Sequence, residues 1–137
     1  MVIVLDNSAA LAIAFQEPNA QETPSLVERI AREGAVVPAL WRCEFANGLA
    51  MVLRYDRASR SDIERQFVDF GALPIMVDEV ALDRAWSTTV AMAEQHRLTV
   101  YDAAYLELTI RHSLPLATFD KALARAARDE GVEVIGG

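Results

Sequence analysis

Four acidic side chains lie at positions where isolated carboxylates are unusual. Asp6 directly follows the apolar run VIVL, and Asp120 follows the segment PLATF. Glu44 and Asp102 lie within the mainly apolar stretches LWRCEFANGLAMVL and TVYDAAYLEL. Gathering carboxylates in one place costs free energy because they repel one another and lose water, and a bound cation offsets that cost. Hard cations such as Mg²⁺ or Mn²⁺ prefer oxygen ligands, so the pattern indicates a metal-dependent enzyme.

Each of these acids also has an ordinary structural explanation. Asp6 and Asp120 stand where an aspartate commonly caps a turn or the start of a helix. Glu44 lines up at helical spacing with apolar neighbours, and a buried Glu–Arg ion pair is the ordinary alternative to a metal ligand there. Asp102 is an acid in a first helical turn, where the helix dipole favours negative charge by up to ~1 kcal/mol. A metal site therefore requires that the fold bring all four together.

Several neighbouring residues bear on this hypothesis. Ser8 offers a hydroxyl at the helix start that follows Asp6, and Asn47 lies one turn after Glu44, where its amide could orient the carboxylate. Glu107 and Arg111, by contrast, are spaced as an i,i+4 pair, which we expect on the outer face of its helix.

The chain alternates short apolar runs with helical patterns. Strands are predicted at residues 2–6, 35–38, 74–77, 115–118 and 132–135. Helices are predicted at residues 8–16, 24–33, 39–55, 61–71, 79–96, 101–112 and 120–130. The helix over 39–55 is apolar nearly all round and is expected to be buried, while Ser61–Glu64 matches a capping box.

The alternation of strands and helices predicts an α/β protein, a three-layer α/β/α sandwich around a mainly parallel sheet. The length and the absence of a linker favour a single domain over residues 1–137. In open sheets of this kind, ligands bind beyond the carboxyl ends of the strands. Asp6 and Asp120 are therefore expected at the same edge of the sheet.

The charge of the chain argues mildly against a protein that clamps nucleic acid by charge alone. The net charge is −7, from 20 Asp and Glu against 13 Lys and Arg, and two divalent cations would reduce it to −3. Four of the arginines, Arg54, Arg57, Arg60 and Arg65, crowd one stretch, and a guanidinium group matches phosphate oxygens geometrically. A solvated helix end and loop explains this cluster equally well.

The remaining composition indicates a reducing compartment. Cys43 is the only cysteine, so the chain forms no internal disulfide and has no CxxC pair; on a buried helix it is expected to serve packing. His96 and His112 lie near predicted helix ends, where the dipole favours them. No apolar run approaches a membrane span, and we expect a cytoplasmic protein without membrane contact.

The segments VLDNSA, EFAN, YDAAYLEL and LATFD together resemble the PIN domain, and more narrowly the VapC-type toxin ribonucleases of bacterial toxin–antitoxin systems. The likeness runs from Met1 to the last strand and rests on four motifs in the right order. It implies that four acids hold the metal, namely Asp6, Glu44, Asp102 and Asp120. It also implies that Ser8, Asn47 and Thr118 support them.

The resemblance further implies an Mg²⁺- or Mn²⁺-dependent endoribonuclease that cuts structured RNA such as tRNA or ribosomal RNA. Similar proteins form homodimers and are silenced by a cognate antitoxin whose tail covers the acidic groove. Some relatives carry a further acid shortly after the fourth one. Here the next is Asp129, far along its helix, which argues against a complete second metal site in the free protein.

Two other classes remain open on sequence grounds. A receiver-like phosphoacceptor domain also places acids at strand ends, but it needs an acid pair there and a lysine after the last strand; Asp6 is followed by Asn7 and Ser8, and no lysine ends the chain. A catalytically silent binding module could use the same fold. Assaying RNA cleavage with and without EDTA separates both from a nuclease.

Overall fold

The computed structural model of the chain describes residues 1–15 and 23–136. Its five strands are β1 (Ile3–Leu5), β2 (Ala35–Pro38), β3 (Ile75–Asp78), β4 (Leu116–Ala117) and β5 (Val134–Ile135). They form one sheet in the order β3-β2-β1-β4-β5, and every neighbouring pair is parallel. The prediction of a mainly parallel sheet is confirmed, and the described sheet is parallel throughout.

The helices are α1 (Asn7–Phe15), α2 (Thr23–Glu33), α3 (Trp41–Arg54), α4 (Arg60–Gly71), α5 (Val90–His96), α6 (Val100–His112) and α7 (Lys121–Asp129). A 3-10 turn (Ala81–Arg84) and a π-helical turn (Ala85–Thr89) precede α5. The predicted end of the first helix at residue 16 lies outside the described residues.

The helices form two layers, one on each face of the sheet. In one layer α1 packs against α2 and α3, and α3 packs against α4; in the other, α6 packs against α5 and α7. This division follows from right-handed crossovers, because the chain moves from β1 towards β3 and then returns to β4 and β5 on the other side. The three-layer α/β/α sandwich is thus confirmed.

The centre of the sheet is the most deeply buried part of the molecule. The three residues of β1 are completely inaccessible to solvent, as are Leu116 and Ala117 of β4. Such continuous apolar runs are typical of parallel strands covered on both faces. The helices that follow these strands therefore start from a rigid edge.

Two predicted helices differ from the structure. The long helix over 79–96 is broken into a 3-10 turn, a π-helical turn and α5. Asp78 Oδ1 accepts hydrogen bonds from the backbone N–H groups of Val80 and Ala81, which starts the segment as a tight turn. The consecutive β-branched residues 88–90, at the end of the π-helical turn and the start of α5, crowd a regular helix.

The apolar composition of α3 predicted a helix buried on all sides, but one face of α3 is exposed. Its exposed face carries Cys43, Ala46, Asn47 and Ala50, because α3 packs through its other face against α1 and α4. An apolar composition is therefore a poor measure of burial, since alanine counts as apolar but Ala46 and Ala50 are exposed. Cys43 is also exposed, so the prediction that it serves packing is wrong.

The capping box of α4 is displaced by two residues from its predicted position. Ser59 is the N-cap: its hydroxyl accepts from the backbone N–H of Asp62 at 3.2 Å, and its own N–H donates to Asp62 Oδ2 at 3.0 Å. The predicted box had Ser61 and Glu64 in these roles. No helix in the described ranges is long and apolar enough to cross a bilayer.

Candidate functional site

The candidate site lies where the strand order reverses. The chain leaves β1 towards β2 and later places β4 on the other side of β1, and the carboxyl ends of two such strands border a crevice in open α/β sheets. Asp6 directly follows β1, and Thr118 directly follows β4. The backbone N–H of Asp6 donates to the carbonyl of Ala117 at 3.0 Å, which joins the two strand ends.

Asp6 is held rigidly at this point. Its side chain is buried, with the residue only 3% exposed. Its Oδ1 accepts from the backbone N–H of Asn7 at 2.7 Å, and its Oδ2 accepts from the hydroxyls of Ser8 at 2.6 Å and Thr118 at 2.7 Å. Three donors thus stabilise the ionised carboxylate, yet burial is the larger influence and raises its pKa.

The two hydroxyls also connect the start of α1 to the turn before α7. Ser8 Oγ lies 3.2 Å from Thr118 Oγ1 and accepts from the backbone N–H of Phe119 at 3.0 Å. Thr118 Oγ1 accepts from the backbone N–H of Asp120 at 3.0 Å. The structure therefore places Ser8 and Thr118 where a supporting role needs them, in direct contact with Asp6.

Asp120 is the N-cap of α7, as one explanation of its position predicted. Its Oδ1 accepts from the backbone N–H of Leu123 at 2.9 Å. This cap occupies one carboxylate oxygen, and the charge of Asp120 still acts on the site, because it raises the pKa values of Asp6 and Asp102. The capping and site explanations are compatible.

Glu44 reaches the site from the first turn of α3, in the opposite helix layer from α6. Tyr105 of α6 donates its hydroxyl to Glu44 Oε1 at 2.6 Å, so one hydrogen bond joins the two layers at the edge of the sheet. Partial burial is the main cause that raises the pKa of Glu44, and the charges of Asp6 and Asp102 raise it further.

Tyr105 was not predicted as a site residue from the sequence. The supporting role had been given to Asn47, which is exposed and makes no hydrogen bond to Glu44 in the described part of the chain. Tyr105 is buried, so its hydroxyl requires a partner. A buried tyrosine near predicted acids is the signal that could have identified it.

Asp102 lies in the first turn of α6 and is half-buried. Thr99 is the N-cap of this helix and accepts from the backbone N–H of Asp102 at 3.1 Å. Partial burial, followed by repulsion from Asp6 and Asp120, raises the pKa of the Asp102 carboxyl to about 6. A shift of this size is typical of functional sites with crowded charges.

The negative charges of these acids raise one another's pKa values. Glu44 is influenced by Asp6 and Asp102, and Asp102 is influenced by Asp6 and Asp120. Within residues 1–15 and 23–136, none of the four forms an ion pair with a basic side chain. Their negative charge is therefore uncompensated by the protein.

The buried Glu–Arg pair considered for Glu44 exists elsewhere in the molecule. Arg111 donates to both carboxylate oxygens of Glu107, at 2.6 and 3.1 Å, and to Asp78 Oδ2 at 2.9 Å. Glu107 is only 2% exposed, so the pair lies inside and not on the outer face as predicted. Arg84, at 3.4 Å from Glu107, completes the compensation.

The donor chemistry of the site fits a divalent cation, because it offers carboxylate oxygens and unbalanced negative charge. Among the described residues, no three His, Cys, Asp or Glu side chains are already arranged to hold a metal ion. Glu44 and Asp120 are each turned towards a protein donor, the Tyr105 hydroxyl and the backbone N–H of Leu123.

The other titratable residues considered lie outside this site. Asp129 ends α7, nine residues or ~13 Å beyond Asp120. His96 contacts Glu130 at 2.8 Å, and His112 contacts Asp78 at 2.8 Å.

A separate apolar cleft lies between α3, α4 and β3. It has a volume of about 360 Å³ and is lined by Trp41, Phe45, Phe70 and their neighbours. None of the described residues that line this cleft is a carboxylate, so it is distinct from the acidic site.

Comparison with known proteins identifies the family. A family model of the PIN domain matches residues 3–129, nearly the whole chain. The chain therefore belongs to the PIN domain family, whose members are generally metal-dependent nucleases.

Solved structures share the fold at low sequence identity. PAE2754 from Pyrobaculum aerophilum is 21% identical with a TM-score of 0.69, and the match covers 98% of this chain and 92% of that chain. FitAcB from Neisseria gonorrhoeae is 19% identical with a TM-score of 0.63, covering 98% and 96%. FitAB bound to an IR36 DNA fragment is 17% identical with a TM-score of 0.64, covering 98% and 94%. No curated protein sequence matches the chain.

Proposed function

We propose that this PIN-domain protein is a metal-dependent endoribonuclease, the toxin of a toxin–antitoxin module, which hydrolyses phosphodiester bonds in structured RNA such as tRNA or ribosomal RNA. The observation that carries the proposal is the uncompensated cluster of four carboxylates at the carboxyl edge of the sheet. The nuclease activity general in the family supports it.

The roles of the residues follow from their contacts. Asp6, Glu44, Asp102 and Asp120 would hold Mg²⁺ or Mn²⁺. Such a cation, when bound, supplies positive charge that activates water and neutralises charge developing on the phosphoryl oxygens. Ser8 and Thr118 fix Asp6 by their hydrogen bonds to Oδ2. Tyr105 fixes Glu44 through Oε1 and leaves Oε2 free of that bond.

The biological setting rests on the resemblance of the four motifs to VapC-type toxins. It includes a homodimer and a cognate antitoxin that covers the acidic groove. The length of the chain supports a single domain over residues 1–137, and the single cysteine supports action in the cytoplasm. FitAB, which has a similar fold, occurs as a DNA-bound assembly. Membership of the PIN family leaves the receiver-like alternative without support, and the silent binding module is the alternative that an activity assay must exclude.

The decisive experiment is RNA cleavage by purified protein with Mg²⁺ or Mn²⁺, with and without EDTA. We expect cleavage that EDTA abolishes, and we expect Asp6→Asn and Asp102→Asn to lower the rate by at least about a hundredfold while the protein stays folded. Asp129→Asn is the matched control, because Asp129 lies at the far end of α7, and it should cleave normally. Cleavage retained in both site variants, or absent from the wild type, would contradict the proposal.

A further inference from the structure

The connection between α3 and α4 reverses the local charge of an acidic protein. Arg54 ends α3, Arg57 lies in the connection and Arg60 begins α4, while Asp56 is the only acid from residue 54 to residue 60. All three arginines are exposed, and none is ion-paired within the described residues. Three guanidinium groups are thus available to a partner.

The helix dipoles explain only one of these charges. Arg54 lies in the last turn of α3, where a cation is favourable, but Arg60 is the first residue of α4, where a cation faces the positive end of the dipole. The nearby acid Asp62 is engaged in the capping box with Ser59. Arg60 is therefore poorly placed for helix stability and well placed to meet an anion.

The backbone holds this connection in a defined shape. Asp56 has a left-handed conformation with φ of 54°. The backbone N–H of Asp56 donates to Leu53 at 3.1 Å and that of Arg57 donates to Val52 at 3.0 Å, the two hydrogen bonds of a Schellman motif. The motif displays Tyr55, which is 65% exposed, between two arginines.

A groove lies beside this surface, on the side of α3 that faces α1. The groove, about 390 Å³ in volume, runs between α1 and α3 and is lined by Leu11, Phe15, Gly48, Val52 and Arg57.

Glu44 of the acidic site and Arg54 lie on the same helix, α3. Gly48 lies one helical turn after Glu44 on the same face of α3, and a Cβ atom there would lie 2.7 Å from Leu11 Cδ2. Arg54 is ten residues after Glu44, a distance of ~15 Å along the helix. A strand cleaved at the carboxylates would reach the arginines after a few nucleotides.

We propose that Arg54, Tyr55, Arg57 and Arg60, the arginine surface, bind the RNA strand beside the scissile phosphate. The guanidinium groups hold backbone phosphates, whose oxygens match their planar donor fork, and the Tyr55 ring stacks on a base. The inference rests on the proposed ribonuclease function. It accounts for how a chain of net charge −7 retains a polyanion.

The test is steady-state cleavage, over a series of salt concentrations, of a structured RNA that the wild type cleaves, such as a tRNA. Arg54→Gln, Arg57→Gln and Arg60→Gln should each raise KM about fivefold, leave kcat within about twofold, and reduce the slope of log KM against log salt by ~0.7. Tyr55→Ala should raise KM about tenfold without changing that slope.

Three controls make the result specific. Arg32→Gln removes another exposed arginine, at the end of α2, and should leave KM, kcat and the salt slope unchanged. Arg57→Lys retains the charge and should restore most of the affinity. With a dinucleotide substrate, which is too short to span ~15 Å, all variants should match the wild type.

The outcomes separate this inference from the proposed function. A wild type that cleaves RNA, with arginine variants no different from Arg32→Gln, overturns the arginine surface and leaves the ribonuclease proposal standing. If the arginine variants lose as much activity on the dinucleotide as on the longer RNA, the arginine surface is also overturned, because such losses indicate damage to the acidic site. A folded wild type that cleaves no RNA overturns both.

Discussion

Asp6, Glu44 and Asp102 are all held with pKa values above the ordinary range, and in each case partial or complete burial is the main cause. Their repulsion adds to that shift. Neutral donors such as the Tyr105 hydroxyl orient the carboxylates without cancelling their charge. At neutral pH the metal-free site therefore opposes folding.

The pH dependence of stability gives a test at this scale. The pKa of Asp102 rises from 3.8 to about 6 on folding. Ionisation of Asp102 therefore destabilises the native state fully above about pH 6. The destabilisation decreases as the pH falls from about 6 to 3.8, and it is absent below pH 3.8. With EDTA present, Asp102→Asn should melt at a higher temperature than the wild type at about pH 8, with the difference vanishing near pH 4.

Thermal melts of both proteins at the two pH values measure this difference. Asp129→Asn, which removes an exposed carboxylate on α7, is the matched control. An Asp102→Asn protein that melts below the wild type at both pH values would show that Asp102 is a stabilising first-turn acid.

At the scale of elements, the site is an arrangement of helix starts. Asp6 precedes α1, Glu44 and Asp102 lie in the first turns of α3 and α6, and Asp120 caps α7. The positive ends of four helix dipoles are thus directed at the carboxylates and partly offset their repulsion. Where helices begin therefore determines where the acids meet.

The displaced capping box of α4 can be tested directly. Ser59→Ala removes the hydroxyl that accepts from Asp62 and should lower the free energy of unfolding by ~1 kcal/mol, measured by denaturant titration. Ser61→Ala is the matched change two residues away and should cost less than ~0.5 kcal/mol. A larger loss of stability in Ser61→Ala than in Ser59→Ala would support the capping box predicted from the sequence at Ser61 and Glu64.

At the scale of the whole molecule, α3 joins two regions of opposite charge. Glu44 and the acidic site lie at its start, and the arginine surface lies at its end. A cation bound only by the folded protein stabilises it by mass action, ~2.7 kcal/mol at a hundredfold excess over its Kd. Adding Mn²⁺ or Mg²⁺ should therefore raise the melting temperature by several degrees for a chain of this size.

The control for this thermal shift is the loss of a carboxylate. Asp6→Asn should respond much less to Mn²⁺ than the wild type does, and Asp129→Asn should respond normally. An equal shift in all three proteins would place the cation elsewhere, and no shift in the wild type would contradict a clustered metal site.

Sequence alone was sufficient for features set by local chemistry. The apolar runs and helix signals predicted the strands within two residues and the layered parallel fold, because periodicity and burial are directly coupled. The same patterns located the four acids at strand ends and helix starts. Resemblance of four short motifs indicated the PIN family, which the family match confirms.

Only the tertiary structure decided which side chains meet. The Glu44–Tyr105 hydrogen bond joins residues 61 positions apart in different layers, and the Asp6–Thr118 bond joins residues 112 positions apart. Local patterns carry no information on such contacts. For the same reason, sequence placed Asn47 beside Glu44 and Glu107 outside, since the exposure of a helix face depends on what packs against it.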